Sequence, residues 1–156
     1  MTENLNLYFA YGSNMDESRL SKRVGPVSGG EVARLDGYRF RIDNRGKATI
    51  DVATGAVTYG RLWRLTKAQD KALEDFEGFN ATPKYYHKSK LVVDCGGTEL
   101  SALVYIANGG ARRPDKALES EYRDSITSGA KAAGLPAAYQ TELAYQLGIA
   151  DAGEGG

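Results

Sequence analysis

The chain has 156 residues, enough for one domain with a real hydrophobic core. Its 20 Lys plus Arg offset 20 Asp plus Glu to a formal net charge of zero. That argues against nucleic acid or an acidic membrane surface as the main partner, since both demand a basic excess. The longest apolar runs are far short of a membrane span, residues 1–9 lack the pattern of a secretory signal, and Cys95 has no second cysteine to pair with; a reducing cytoplasm is the expected location.

No internal repeat and no linker-like stretch interrupts residues 1–149, which read as a single domain, followed by a Gly-rich tail over 150–156. The first element, "NLNLYFAY", puts Leu5, Leu7, Phe9 and Tyr11 on one face and Tyr8 and Ala10 on the other, the pattern of a strand covered on both sides. "NMDESRLSKRV" then predicts a short helix, with Asn14 as its cap and Glu17 three residues on in a capping-box arrangement. "VARLDGYRFRID", "ATIDVA" and "AVTYGRLWRL" read as three strands. "TKAQDKALEDFEG" is a clear helix: Thr66 and Gln69 form a capping box, and Gly78 sits where a C-terminal glycine stops it. "YYHKSKLVVDC" and "ELSALVYIA" predict two strands joined at "GGT" as a hairpin. The rest is helical, with Leu118, Tyr122 and Ile126 on one face of a first helix and Tyr139, Leu143 and Leu147 on one face of a second, after a Gly-Leu-Pro break. The fold class is mixed α+β: a small curled mixed sheet or barrel with flanking helices.

Subtraction narrows the chemistry. One histidine, His87, and one cysteine, Cys95, cannot build a metal cluster of the usual spacing, and both read as structural: His87 at a solvated strand edge, Cys95 at a strand end. Neither "GxxxxGK" nor "GxGxxG" is present. Most of the ten tyrosines read as ordinary half-buried strand residues. Carboxylates and backbone dipoles are left. With Leu73 at the centre of a buried helix face, Phe76 and Glu77 fall on the same side, while Asp75 points away. A carboxylate on an apolar face, in the last turn of a helix, is pushed toward its protonated form by desolvation and by the helix dipole, as a general base and acid requires. The competing reading is a frayed last turn with a solvated Glu77. The second candidate is the turn Gly12-Ser13-Asn14, where a strand running into a capped helix points backbone N–H groups at one spot. The competing reading there is a plain turn with Asn14 as cap.

Four stretches carry a resemblance. "YFAYGSNM", "LEDFEGF", "GKATIDVATGAVTYGRLWRLT" and "EYRDSITSGAKAAGLPAAYQTEL" together resemble, in order, the signatures of the γ-glutamylcyclotransferase family over about residues 7–147. The resemblance implies a cofactor-free cyclisation: the α-amine of a γ-glutamyl compound attacks its own γ-carbonyl, releasing 5-oxoproline and a free amine. It implies Glu77 as the base and then the acid, and Tyr8, Phe9, Ala10, Tyr11, Gly12 and Ser13 as the stretch that holds the glutamyl part through backbone amides. Tyr122 and Tyr105 match further pocket positions. Either Tyr85 or Tyr86 fills the last one, with Tyr86 preferred.

The glutathione-specific branch has leucine where Asn14 stands, and the γ-glutamylamine branch reads "YGT" in place of "YGS". A γ-glutamyl-amino-acid substrate is therefore expected, or a carrier-bound γ-glutamyl group, for which Arg112 and Arg113 could supply a basic patch. The expected partner is this small molecule, with no nucleic acid and no membrane; pairing as a homodimer is left open. A non-catalytic γ-glutamyl-binding module is the alternative function.

Overall fold

The computed structural model describes residues 5–43, 47–76, 86–107 and 120–148. In chain order these form β1 (Asn6–Ala10), a 3-10 turn (Ser13–Met15), α1 (Glu17–Val24), β2 (Ser28–Ile42), β3 (Ala48–Leu65), α2 (Lys67–Phe76), β4 (Tyr86–Cys95), β5 (Thr98–Ala107), α3 (Ser120–Ala133) and α4 (Ala137–Gln146). The strands close into a barrel in the order β1-β3-β2-β4-β5. β1 runs antiparallel to β3 and parallel to β5, which makes the sheet mixed, as expected. The expected tail over 150–156 lies outside the described residues.

Both faces of β1 are covered. Tyr8 on one side and Phe9 on the other are buried, together with Ala10. The chain approaches β3 closely at Gly60, where a Cβ would stand 2.2 Å from the carbonyl oxygen of Ala10. Glycine is therefore required there by backbone contact. The core around it gathers Phe9, Leu35, Ile50, Leu62, Trp63, Leu65, Val93 and Val104, all almost fully buried.

Two expectations need correction. "ATIDVA" and "AVTYGRLWRL" are not separate strands but one, β3. It pairs with β2 along most of its length, and the glycine-containing stretch between them is absorbed as an irregularity in register: Asp36 faces Val57 while Tyr38 faces Val52. Local composition does mark an irregularity, since residues 53–56 have no partner on β2 and Gly55 takes a φ of 82°, but the ladder resumes on either side and the two segments form one strand. Helix α1 likewise starts later than expected. Its cap is Asp16, whose carboxylate accepts the Arg19 N–H at 3.3 Å, while Asn14 lies within the preceding 3-10 turn. The Asn14 side chain is engaged elsewhere and cannot cap.

Helix α2 begins as read. The Thr66 N–H donates to the Gln69 side chain at 2.9 Å, and the Gln69 N–H donates to the Thr66 hydroxyl at 3.1 Å. Leu73 is buried, Asp75 is exposed, and Glu74 and Asp70 flank the Lys88 ammonium on β4. The β4–β5 hairpin turns at Gly96 and Gly97, with φ of 61° and 92°, a pair of left-handed residues that matches the twist of the strands. On α3 the buried residues are Tyr122, Ser125, Ile126, Gly129 and Ala130; Leu118 lies outside the described residues. Leu143 and Leu147 are buried below α4, and Tyr139 sets its ring edge-on to Tyr59 at 5.2 Å. Burial raises the Tyr139 hydroxyl pKa well above its ordinary value. His87 is exposed, and Cys95 is half-buried with its thiol pKa pushed up by burial.

Gly60→Ala tests the closeness of β1 to β3. We expect it to lower the unfolding free energy by at least about 1–3 kcal/mol, the usual range for forced overpacking, read from the urea midpoint.

Candidate active site

The turn after β1 is tightly built. The Met15 N–H donates to the Gly12 carbonyl at 3.0 Å and the Asp16 N–H to the Ser13 carbonyl at 3.1 Å, winding the 3-10 turn. Ser13 and Asn14 are buried, at 6% and 3% exposure, which is unusual for polar residues in a connection. Three neighbours explain it. The Trp63 indole N–H donates to the Asn14 carbonyl at 3.0 Å, and an Arg61 guanidinium N–H donates to the Met15 carbonyl at 3.1 Å. Arg61 also stacks on the Trp63 ring at 4.3 Å, and burial lowers its pKa. From the other side α3 presses on the turn at Gly129, where a Cβ would stand 2.6 Å from the backbone of Met15 and Asp16.

In front of the turn stands Ala48, the first residue of β3. A Cβ on Gly12 would sit 3.0 Å from the Ala48 methyl group and 4.0 Å from the Tyr122 hydroxyl. That hydroxyl accepts the Ala48 N–H at 2.7 Å, and the Tyr86 hydroxyl donates to the Ala48 carbonyl at 2.8 Å. One buried residue is thus gripped from α3 and from β4. The Lys47 ammonium lies 4.4 Å from the centre of the Tyr122 ring, and the Arg19 guanidinium 5.6 Å from it. On the β5 side the Tyr11 hydroxyl donates to the Tyr105 carbonyl at 2.5 Å, and the Tyr8 and Tyr105 rings meet edge-on at 6.0 Å.

Among the residues singled out from the sequence, Gly12, Tyr86 and Tyr122 therefore converge on Ala48, next to Ser13 in the turn. Tyr8, Tyr11 and Tyr105 form a second, adjoining group. Phe9 and Ala10 lie opposite Leu62 and Arg61 in the sheet ladder, and the Phe9 side chain belongs to the core. Glu77, Tyr85, Arg112 and Arg113 lie outside the described residues, where α2 ends at Phe76. Sequence reasoning missed Ala48, Trp63, Arg61 and Arg23, whose guanidinium donates to Asn14 Oδ1 at 2.9 Å, as supports of the turn. A buried tryptophan with an N–H to satisfy was the one available signal, and it names no partner. Among the described residues no group of three His, Cys, Asp or Glu could hold a metal ion, and no helix is long and apolar enough to cross a membrane.

A family model described as gamma-glutamyl cyclotransferase, AIG2-like, matches residues 8–128. The chain belongs to that family. It is 31% identical over 147 residues to a mouse gamma-glutamylcyclotransferase and 29% identical over 147 residues to the human one, in each case over 88% of this chain and 76% of the relative. A solved gamma-glutamyl cyclotransferase structure superposes with a TM-score of 0.79 at 28% identity, covering 89% of this chain and 86% of that one. The family is one of enzymes that form 5-oxoproline, and the mixed barrel with flanking helices is its fold.

Tyr122→Phe isolates the Ala48 grip. It leaves a buried peptide N–H without its acceptor, and we expect a loss of about 1–3 kcal/mol in unfolding free energy, measured by chemical denaturation. A loss near zero would mean that water or another group replaces the hydroxyl at no cost.

Proposed function

We propose that the protein cleaves γ-glutamyl amides by intramolecular cyclisation, with a γ-glutamyl amino acid as substrate. The observation that carries this reading is the meeting of the Gly12-Ser13 turn with the Tyr86 and Tyr122 hydroxyls at Ala48, in a chain of this family. The glutamyl part lies against the turn, whose amides lie past the last residue of β1 paired in the sheet. Gly12 lets the turn pack against Ala48, and amide N–H groups of the turn stabilise the oxyanion formed at the γ-carbon. Tyr86, Tyr105 and Tyr122 line the remaining walls.

Glu77 takes a proton from the substrate ammonium. The freed amine attacks the γ-carbonyl carbon, the five-membered lactam closes, and the bond to the leaving nitrogen breaks. Glu77 then returns its proton to that nitrogen, and the attacking nitrogen sheds its second proton to solvent as the lactam forms, so the products are 5-oxoproline and a free amine. No protein nucleophile is needed, because the attacking amine is part of the substrate and already at high effective concentration. The orientation of α2, with Leu73 inward and Asp75 outward, supports an inward Glu77 four residues after Leu73. Asn14 supports the γ-glutamyl-amino-acid choice, since the glutathione-specific branch has leucine there. The single cysteine fits a cytoplasmic location.

The test is incubation with γ-glutamyl-alanine and assay of 5-oxoproline. We expect one equivalent of alanine for each 5-oxoproline, and a fall of about 10²–10⁴-fold in kcat for Glu77→Gln, the range of general acid–base catalysis. Full activity in Glu77→Gln removes the proposed base. Calorimetric binding of γ-glutamyl compounds without turnover identifies a binding module instead.

A further inference from the structure

Lys88 on β4 reaches across to α2 and meets two of its carboxylates. Its ammonium donates to Glu74 Oε2 and lies 3.8 Å from Asp70 Oδ2. Asp70 Oδ2 also accepts, at 3.4 Å, from the side-chain amide of Asn6 at the start of β1. The two acids stand four residues apart and so share one face of the helix, Asp70 in its first turn and Glu74 in its last. Asp70, Lys88 and Glu74 are exposed by only 15%, 19% and 21%, so water and salt screen them less than an ion pair on the open surface. The Glu74–Lys88 pair also closes a loop in the chain. Glu74 lies two residues before the end of α2 and Lys88 two residues after the start of β4, so the pair joins the two ends of the stretch 77–85. Glu77 is the first residue of that stretch.

We infer that Lys88 is a positioning residue for the cyclisation: by holding Asp70 and Glu74 against β4, it fixes where α2 delivers Glu77 to the substrate. The inference rests on the γ-glutamyl reading of the site, with Glu77 as the base. Lys88 stands where such a link is useful. It is two residues from Tyr86 on β4 and directly opposite Tyr105 on β5, so the three residues share one face of the sheet. Tyr86 is the residue that holds the Ala48 carbonyl, and the Tyr105 carbonyl accepts from Tyr11. One strand face therefore carries two tyrosines of the proposed pocket wall and the cation that anchors the helix leading to the base. A general base must stand within hydrogen-bond reach of the proton it removes, and a misplacement of about 1 Å can cost about 10²-fold in rate. Lys88 thus acts through the helix it holds, without touching the substrate.

Lys88→Met nearly keeps the length of the side chain and removes its charge. We expect kcat on γ-glutamyl-alanine to fall by about 10- to 10²-fold, the effect of a misplaced base, with KM nearly unchanged. Lys88→Arg should restore most of the loss, since a guanidinium can meet both carboxylates. In the Glu77→Gln background Lys88→Met should lose nothing further, because it acts only through Glu77; a merely structural loosening would cost the same factor in both backgrounds. Lys88→Met also strands two half-buried carboxylates, so Glu74→Gln supplies a second measure should that variant not fold. It keeps the Lys88–Asp70 pair and frees only the end of α2. It should lose severalfold in kcat, and again nothing in the Glu77→Gln background. Amide hydrogen exchange gives a readout apart from turnover: the N–H groups of residues 73–76 should exchange faster in either variant, and those of β5 should not. Wild-type kcat in folded Lys88→Met or Glu74→Gln, or equal losses with and without Glu77, overturns the inference. A wild-type enzyme that releases no 5-oxoproline from any γ-glutamyl compound overturns the proposed function itself, a different result.

Discussion

A peptide group buried at the start of a strand must find partners for both its N–H and its carbonyl, and at Ala48 both come from tyrosine hydroxyls on distant elements. Tyr122 arrives from α3 and Tyr86 from β4, so the start of β3, the helix and the far strand are fixed relative to one another. The glycine turn after β1 then fits against the same residue, with no room between Gly12 and the Ala48 methyl for a larger side chain to sit unstrained. Two polar groups and one missing Cβ thus bring four elements to a single place. Removing either hydroxyl leaves a buried polar atom and adding a Cβ at Gly12 forces a steric clash, and each costs more than a surface contact would.

The turn itself is held from behind. Asn14 and Met15 give their carbonyls to Trp63 and Arg61, which are two residues apart on β3 and stacked on each other. Arg61 bears a desolvation penalty that lowers its pKa, offset by the nearby acids Glu17, Asp16 and Glu31. This arrangement makes the back of the turn rigid, as the proposed presentation of backbone N–H groups to a substrate requires. Preorganisation of that kind places the cost in folding and spares the reaction step.

Much of this was legible from residues alone. The capping box at Thr66, the Gly96-Gly97 hairpin and the double-sided burial of β1 are local consequences of side-chain chemistry within a few positions, and all three are present. Asn14 shows the limit. As an isolated asparagine before a helix it is a good cap, but tertiary partners nine residues ahead and six behind outbid that local role, and Asp16 takes it over. β3 shows the same limit for strands: a stretch with a threonine and a glycine reads as the end of a strand, yet the segments on both sides of it pair with β2 as one strand.

By itself, then, the sequence determined the kinds of element, their order, the turn after β1 and the family, because each depends on short-range periodicity or on a contiguous motif. Which atoms meet was decided only by the tertiary structure. Ala48 between two tyrosines, Asn14 between Arg23 and Tyr8, and Gly129 on the backbone of Met15 join residues far apart in the chain. No local preference encodes such contacts. They form because the closed barrel brings these elements together and its buried polar groups at the end of β1 must find partners there, a constraint that acts on the whole fold at once.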